Sequence, residues 1–105
     1  MVNPVHELPI SEADARVFVT VAELGSFTSA ATLHAMSPSG VSKAITRLET
    51  ALGVRLLART TRSLHLTDEG MAFHERAARA FALLAEAADE AAARAQQVAG
   101  TVRVG

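Results

Sequence analysis

From Thr67 to Gln97 the chain runs on for about 31 residues, ~46 Å at ~1.5 Å per residue, with nothing beyond Gly70 to break a helix. Met71, His74, Ala78, Phe81, Ala85, Ala88, Ala92 and Ala95 recur at alternating spacings of three and four, which puts them on one helix face. A second stripe of Phe73, Ala77, Ala80, Leu84, Ala87 and Ala91 lies beside the first. A chain of 105 residues has room for one small domain besides this helix, too little to cover it. A partner helix is therefore implied, with Met71, His74, Ala78, Phe81, Leu84, Ala85, Ala88 and Ala92 as the expected dimer interface. Thr67 is placed to cap the helix, and Asp68 and Glu69 in its first turn suit the dipole. After it, AGTVRVG has a glycine break and then β-type residues, and reads as a first strand.

The residues ahead of the long helix predict three shorter ones. Ser11 is an N-cap, with Asp14 three residues on as a capping-box partner, and Gly25 stops the helix after Leu24. Ser26 caps a second helix over about Phe27 to Ala35, with Ala30, Ala31 and Leu33 turned inward. Ser37 as N-cap and Pro38 at the first helical position open a third, which runs to Leu52 and ends at Gly53. Two brief strands follow, about Leu56–Arg59 and Leu64–Leu66, with Thr60–Ser63 as an exposed basic turn.

The third helix has two unlike faces. At about 100° per residue, Val41, Ile45, Leu48 and Leu52 fall together, while Ser39, Ser42, Lys43, Thr46 and Thr50 fall opposite, with Arg47 at the flank. The outward stripe offers hydroxyls and a cation with little bulk. Such groups hydrogen-bond to base edges and phosphate oxygens in a groove.

A net charge of −1 conceals an uneven distribution. Residues 1–36 carry −3, residues 37–66 carry +4 from Lys43, Arg47, Arg55, Arg59 and Arg62 against Glu49, and residues 67–97 carry −3. A basic middle between acidic flanks is what steers an anion. The absence of cysteine removes disulfides and thiolate metal sites and agrees with a reducing cytoplasm. His6, His34, His65 and His74 match no metal-ligand spacing, and there is no nucleophile elbow or phosphate-cradling glycine loop. Metal site, cofactor and enzyme are all excluded at this level. MVNPVHELPI does not read as a signal peptide, and no apolar run approaches the ~20 residues of a membrane span.

With these pieces in order, the chain resembles the N-terminal DNA-binding region of LysR-type transcriptional regulators. The resemblance covers about Leu8 to Gly105 and rests on ELGSFTSAA, SPSGVSKAITRLETALGVRLLART and TRSLHLTDEG, followed by the long helix. It implies a mainly α fold, a winged helix-turn-helix with a three-helix core and a short β-hairpin wing, then a long dimerisation helix. Residues 1–66 would be the DNA-binding domain, with the helix-turn-helix at about 26–45 and the wing at about 56–66. Residues 67–97 would be the linker helix, and 98–105 the start of an effector domain that the chain lacks. The resemblance puts base contacts at Pro38, Ser39, Ser42 and Lys43 beside the cap Ser37, with Thr46 and Arg47 near phosphates. Ser26 and Thr28 would meet the backbone, and Arg59, Thr61 and Arg62 would be wing contacts. Many members carry Gln-Pro-Ala where this chain has Pro38-Ser39-Gly40; glutamine can read adenine with a bidentate pair and proline cannot.

The implied partners are double-stranded DNA and a second copy of the chain, a tetramer being expected only with the effector domain. No cofactor, membrane or small-molecule site is expected in this fragment, and the implied location is the cytoplasm. A winged-helix module that binds another protein through the same surface is the alternative. Salt dependence separates the two readings, because counterion release makes DNA binding fall steeply with salt.

Overall fold

The computed structural model describes residues 8–59 and 63–104, with Arg59 and residues 99–104 described by backbone alone. The elements follow as α1 (Glu12–Leu24), α2 (Phe27–Leu33), α3 (Pro38–Leu52), β1 (Leu57–Arg59), β2 (Leu64–Leu66) and α4 (Asp68–Val104). Two compact units result, Met1–Glu75 and Arg76–Gly105, and the buried apolar core lies in the first.

Three serines start the three short helices. Ser11 Oγ accepts the Asp14 N–H at 3.2 Å, Ser26 Oγ the Ser29 N–H at 3.0 Å and Ser37 Oγ the Gly40 N–H at 3.0 Å. Each satisfies a donor that the first turn leaves without a partner, an effect of ~1 kcal/mol per cap. Gly25 at φ 66° and Gly53 at φ 75° end α1 and α3 in the left-handed region that side chains disfavour.

The core is where α1, α2 and α3 meet. Phe18 and Val21 from α1, Val41, Ile45 and Leu48 from α3, and Leu56 and Leu57 from the chain entering the hairpin are fully buried. Each is worth roughly 1.5–3 kcal/mol in apolar area removed from water. Ala30 and Ala31 are also buried, and their small side chains let α2 approach closely. The strands pair antiparallel, Leu57 opposite Leu66, Ala58 opposite His65 and Arg59 opposite Leu64. Residues 60–62, the tip of this hairpin, lie outside the described residues. Phe73, in the second turn of α4, meets Phe18 with ring centroids 5.7 Å apart and planes tilted by 55°. The first turns of α4 thereby belong to the core.

Four expectations are corrected by the structure. First, α2 ends at Leu33, and Leu33 is 68% exposed rather than turned inward. It lies about 200° around the helix from buried Ala31, and the chain leaves α2 through Ala35 in the left-handed region, φ 54°. Second, the Asp14 carboxylate does not turn back to complete a capping box; it faces Arg47 on α3. Third, the first strand begins at Leu57, because the Leu56 N–H and C=O are engaged outside the sheet. Fourth, α4 continues through Val104, and the stretch read as a strand is helical. A strand needs a neighbour to take its N–H and C=O groups, whereas a helix satisfies them within itself.

The start of α4 is tied tightly to the chain before β1. The Leu56 carbonyl accepts the Thr67 N–H at 3.0 Å, and the Thr67 hydroxyl donates to the Arg55 carbonyl at 2.6 Å and accepts the Gly70 N–H at 2.9 Å. A Cβ at Gly70 would sit 2.1 Å from the Leu56 carbonyl oxygen. Helix propensity favours alanine over glycine by ~1 kcal/mol, but this contact is with backbone and cannot move aside cheaply. Gly70→Ala is therefore expected to lose ~1–3 kcal/mol net, read as a lower urea midpoint at unchanged slope. A gain in stability would show that propensity outweighs the clash.

Candidate nucleic-acid interface

The outward face of α3 is made of the residues that its spacing predicts. Pro38, Ser39, Lys43, Thr46 and Arg47 are exposed, and Ser42 is partly so. Ser37 serves as the helix cap, and its hydroxyl lies 3.3 Å from that of Ser39. Ser26 likewise caps α2, while Thr28 is exposed and its carbonyl accepts the Thr32 hydroxyl at 3.2 Å. Arg59 closes β1; its side chain, with Thr61 and Arg62, lies outside what the structure describes.

Two acidic side chains that the sequence reading left in the background hold this face in place. Asp14 on α1 accepts from Arg47 Nη2 at 3.0 Å and from Arg47 Nε at 3.1 Å, a two-point pair between helices. The Asp14 side chain is 9% exposed and that of Arg47 is 61% exposed. The pair is therefore a buried carboxylate closed by a cation at the surface. Asp14 holds the Arg47 guanidinium above its ordinary value, through the hydrogen bond first and the charge second. On the alkaline side the pair is lost only as pH rises through that raised value, far above neutral.

Glu49 is the second. Its Oε2 accepts the N–H groups of Leu56 at 2.9 Å and Leu57 at 3.2 Å, and Arg55 Nε approaches it at 3.5 Å. It lies on α3 about 40° from Ile45, on the buried side, and joins that helix to the start of the hairpin. That placement was available from the face analysis, since a carboxylate among Ile45, Leu48 and Leu52 must find donors. Asp14 gave no such signal, because its partner is 33 residues away.

The result is an outer surface from which carboxylates have been withdrawn. Among the described residues of α3, Lys43 makes no ion pair, whereas Arg47 is bound to Asp14. Beside the helix end, Arg55 is bound to Glu49. His34, at the end of α2, lies 2.8 Å from the Thr20 hydroxyl, which donates to the Arg16 carbonyl. No group of three or more metal-ligating side chains occurs among the described residues.

The residues expected to face a second copy divide between the units. Met71 is exposed, and His74 Nε2 is buried 3.5 Å from Glu23 on α1. In the second unit, residues 82–98 are exposed throughout, Leu83 at 65% and Leu84 at 56%, together with Ala85, Ala88 and Ala92.

Residues 13–71 match the family described as bacterial regulatory helix-turn-helix protein, lysR family. The chain is 48% identical over 88 residues to the HTH-type transcriptional regulator CrgA of Neisseria meningitidis serogroup C (strain 8013), covering 84% of this chain and 29% of that protein. It is 37% identical over 81 residues to the probable HTH-type transcriptional regulator LtrA of Klebsiella pneumoniae, 77% of this chain and 26% of the relative. The chain thus spans under a third of the length of these curated relatives. Among solved structures, it is similar to the BenM DBD in complex with benA site 1 DNA, at TM-score 0.77 and 30% identity over 82% of this chain and 97% of that one. The CbnR DBD–DNA complex gives 0.73 and 34% over 82% and 99%.

Glu49 offers a direct test of how the interface is held. Glu49→Leu fits the apolar face but leaves two buried N–H groups without an acceptor, at ~1–3 kcal/mol each. Glu49→Gln keeps an acceptor oxygen and is expected to lose less. Denaturant midpoints should fall in the order wild type, Gln, Leu, and a Leu variant as stable as wild type would refute the role given to the two N–H bonds.

Proposed function

The chain belongs to the lysR family of bacterial regulatory helix-turn-helix proteins, and on that footing we propose that it binds double-stranded DNA sequence-specifically as a homodimer, the DNA-binding part of a transcriptional regulator. In this reading α3 lies in the major groove and the β1–β2 wing approaches the minor groove. The observation that carries it is the outer face of α3: hydroxyls and Lys43 point outward, while the neighbouring carboxylates Asp14 and Glu49 point inward to partners. A duplex meets hydrogen-bonding groups and positive charge there. The likeness to the BenM and CbnR domains solved on DNA supports the same docking.

Within that face, Pro38, Ser39, Ser42 and Lys43 are the proposed base contacts. Thr46 faces phosphate, Ser26 and Thr28 approach the sugar–phosphate backbone from α2, and Arg59, Thr61 and Arg62 form the wing contacts. The second copy docks along α4, where Leu83 and Leu84 of the second unit are exposed. We assign no catalytic step to the chain. Its working place in this reading is the cytoplasm, with the chromosome; no helix among the described residues is long and apolar enough to cross a membrane.

Binding should decline with salt at a slope of roughly −0.9 per neutralised phosphate, and the site should be an inverted repeat with halves ~10 bp apart. Lys43→Ala should reduce discrimination between a selected site and a scrambled duplex by ~1–3 kcal/mol. Affinity that stays flat from low to physiological salt would sink the DNA reading. Equal losses on both duplexes would instead make Lys43 a phosphate contact.

Dimerisation is tested separately. Leu84→Glu places a charge on the exposed stripe of α4 and should give monomers in sedimentation velocity, with the helix-turn-helix unit still folded. A variant that sediments as the wild type does would move the interface elsewhere.

A further inference from the structure

The two-point pair between Asp14 and Arg47 bears on how the charge of α3 is used. Arg47 sits at the flank of the helix face turned outward, where a cation would ordinarily be counted among the phosphate anchors. Yet its Nε and Nη2 are both given to one carboxylate, at 3.1 and 3.0 Å. That carboxylate is nearly buried, and its described hydrogen bonds both come from Arg47. Were Arg47 to turn to a phosphate, Asp14 would be left as an unpaired charge in the domain interior, which is strongly unfavourable. Lys43, on the same helix, has no such tie.

We infer that Asp14 is a positioning residue that withholds Arg47 from the DNA backbone and uses it to hold α3 against α1. This rests on the DNA-binding reading and refines it: Arg47 adds nothing to the count of neutralised phosphates, although it is a cation at the edge of the interface. The carboxylate of α1 therefore limits non-specific attraction, and sequence reading is left to the smaller groups of α3. Substituting the interior carboxylate should make the protein bind arbitrary DNA more tightly.

The test is the salt dependence of binding to a scrambled 20-base-pair duplex, followed by fluorescence anisotropy for wild type, Asp14→Asn, Arg47→Gln and the double variant. Asp14→Asn keeps the side-chain shape and leaves the Ser11 cap untouched, because that cap uses the Asp14 backbone N–H. It should steepen the slope of log affinity against log salt by about 0.9, one phosphate's worth. Arg47→Gln should leave the wild-type slope unchanged, and the double variant should return to it. Loss of packing alone would lower affinity without changing the slope, and circular dichroism of each variant establishes that it is folded. A slope shallower by about 0.9 in Arg47→Gln would show that Arg47 takes a phosphate in the complex and would overturn the inference. So would an unchanged slope in folded Asp14→Asn. A wild-type chain that does not bind the duplex at low salt overturns the DNA reading itself, and this inference with it.

Discussion

The peptide groups around Leu56 are where the first unit is joined. The Leu56 N–H goes to Glu49 on α3, and its carbonyl takes the Thr67 N–H at the start of α4. The next N–H, of Leu57 at the first position of β1, also goes to Glu49. Three elements therefore meet on one short stretch of backbone, and both Leu56 and Leu57 have their side chains in the core. The arrangement leaves no space at Gly70, which is why the residue with the poorest intrinsic claim to a helix interior, proline aside, stands in the first turn of α4. A buried carboxylate is a costly way to satisfy two N–H groups. Here it does so where the chain passes from a helix to its strand.

Asp14 and Glu49 differ in kind from Glu12 and Glu90. Glu12 with Arg16 and Glu90 with Arg94 are exposed pairs one helical turn apart, the class that contributes a few tenths of a kcal/mol and weakens with salt. Asp14 and Glu49 are buried and link separate elements. Their charge is spent inside the domain, so a chain of net charge −1 can present a face without exposed carboxylates along α3. The average charge of the chain says little about its local field.

The parts of the fold that were legible in the sequence are those set by neighbours along the chain. Ser11, Ser26 and Ser37 mark helix starts because a cap acts within three residues, and Gly25 and Gly53 mark ends because the left-handed turn is local. The faces of α3 were legible because fifteen residues show the period of a helix clearly. Leu33 was not, since a seven-residue helix makes barely two turns and apolar character alone does not say which way a side chain points. Asp14 looked like a capping residue because capping is what its neighbours suggest; its actual partner is set by packing of α1 on α3. Val102 and Val104 favour a strand by composition, but strand formation is a property of pairs, and in this chain the segment has the helix before it to extend.

On the DNA-binding reading, these assignments limit what one copy can do alone. Ser37 has its acceptor committed to Gly40, Arg47 is tied to Asp14 and Arg55 to Glu49. The groups that α3 turns outward on that reading are few: Pro38, Ser39, Ser42, Lys43 and Thr46. A base-edge contact discriminates by ~1–3 kcal/mol, and non-specific affinity follows the number of phosphates neutralised. With little of either per copy, selective binding has to come from presenting the same small surface twice at a fixed spacing. The second contact is then made at high effective concentration. On that reading the exposed leucines of α4, Leu83 and Leu84, are the means of joining two copies, and the sparse outer face of α3 is the reason that joining them is necessary.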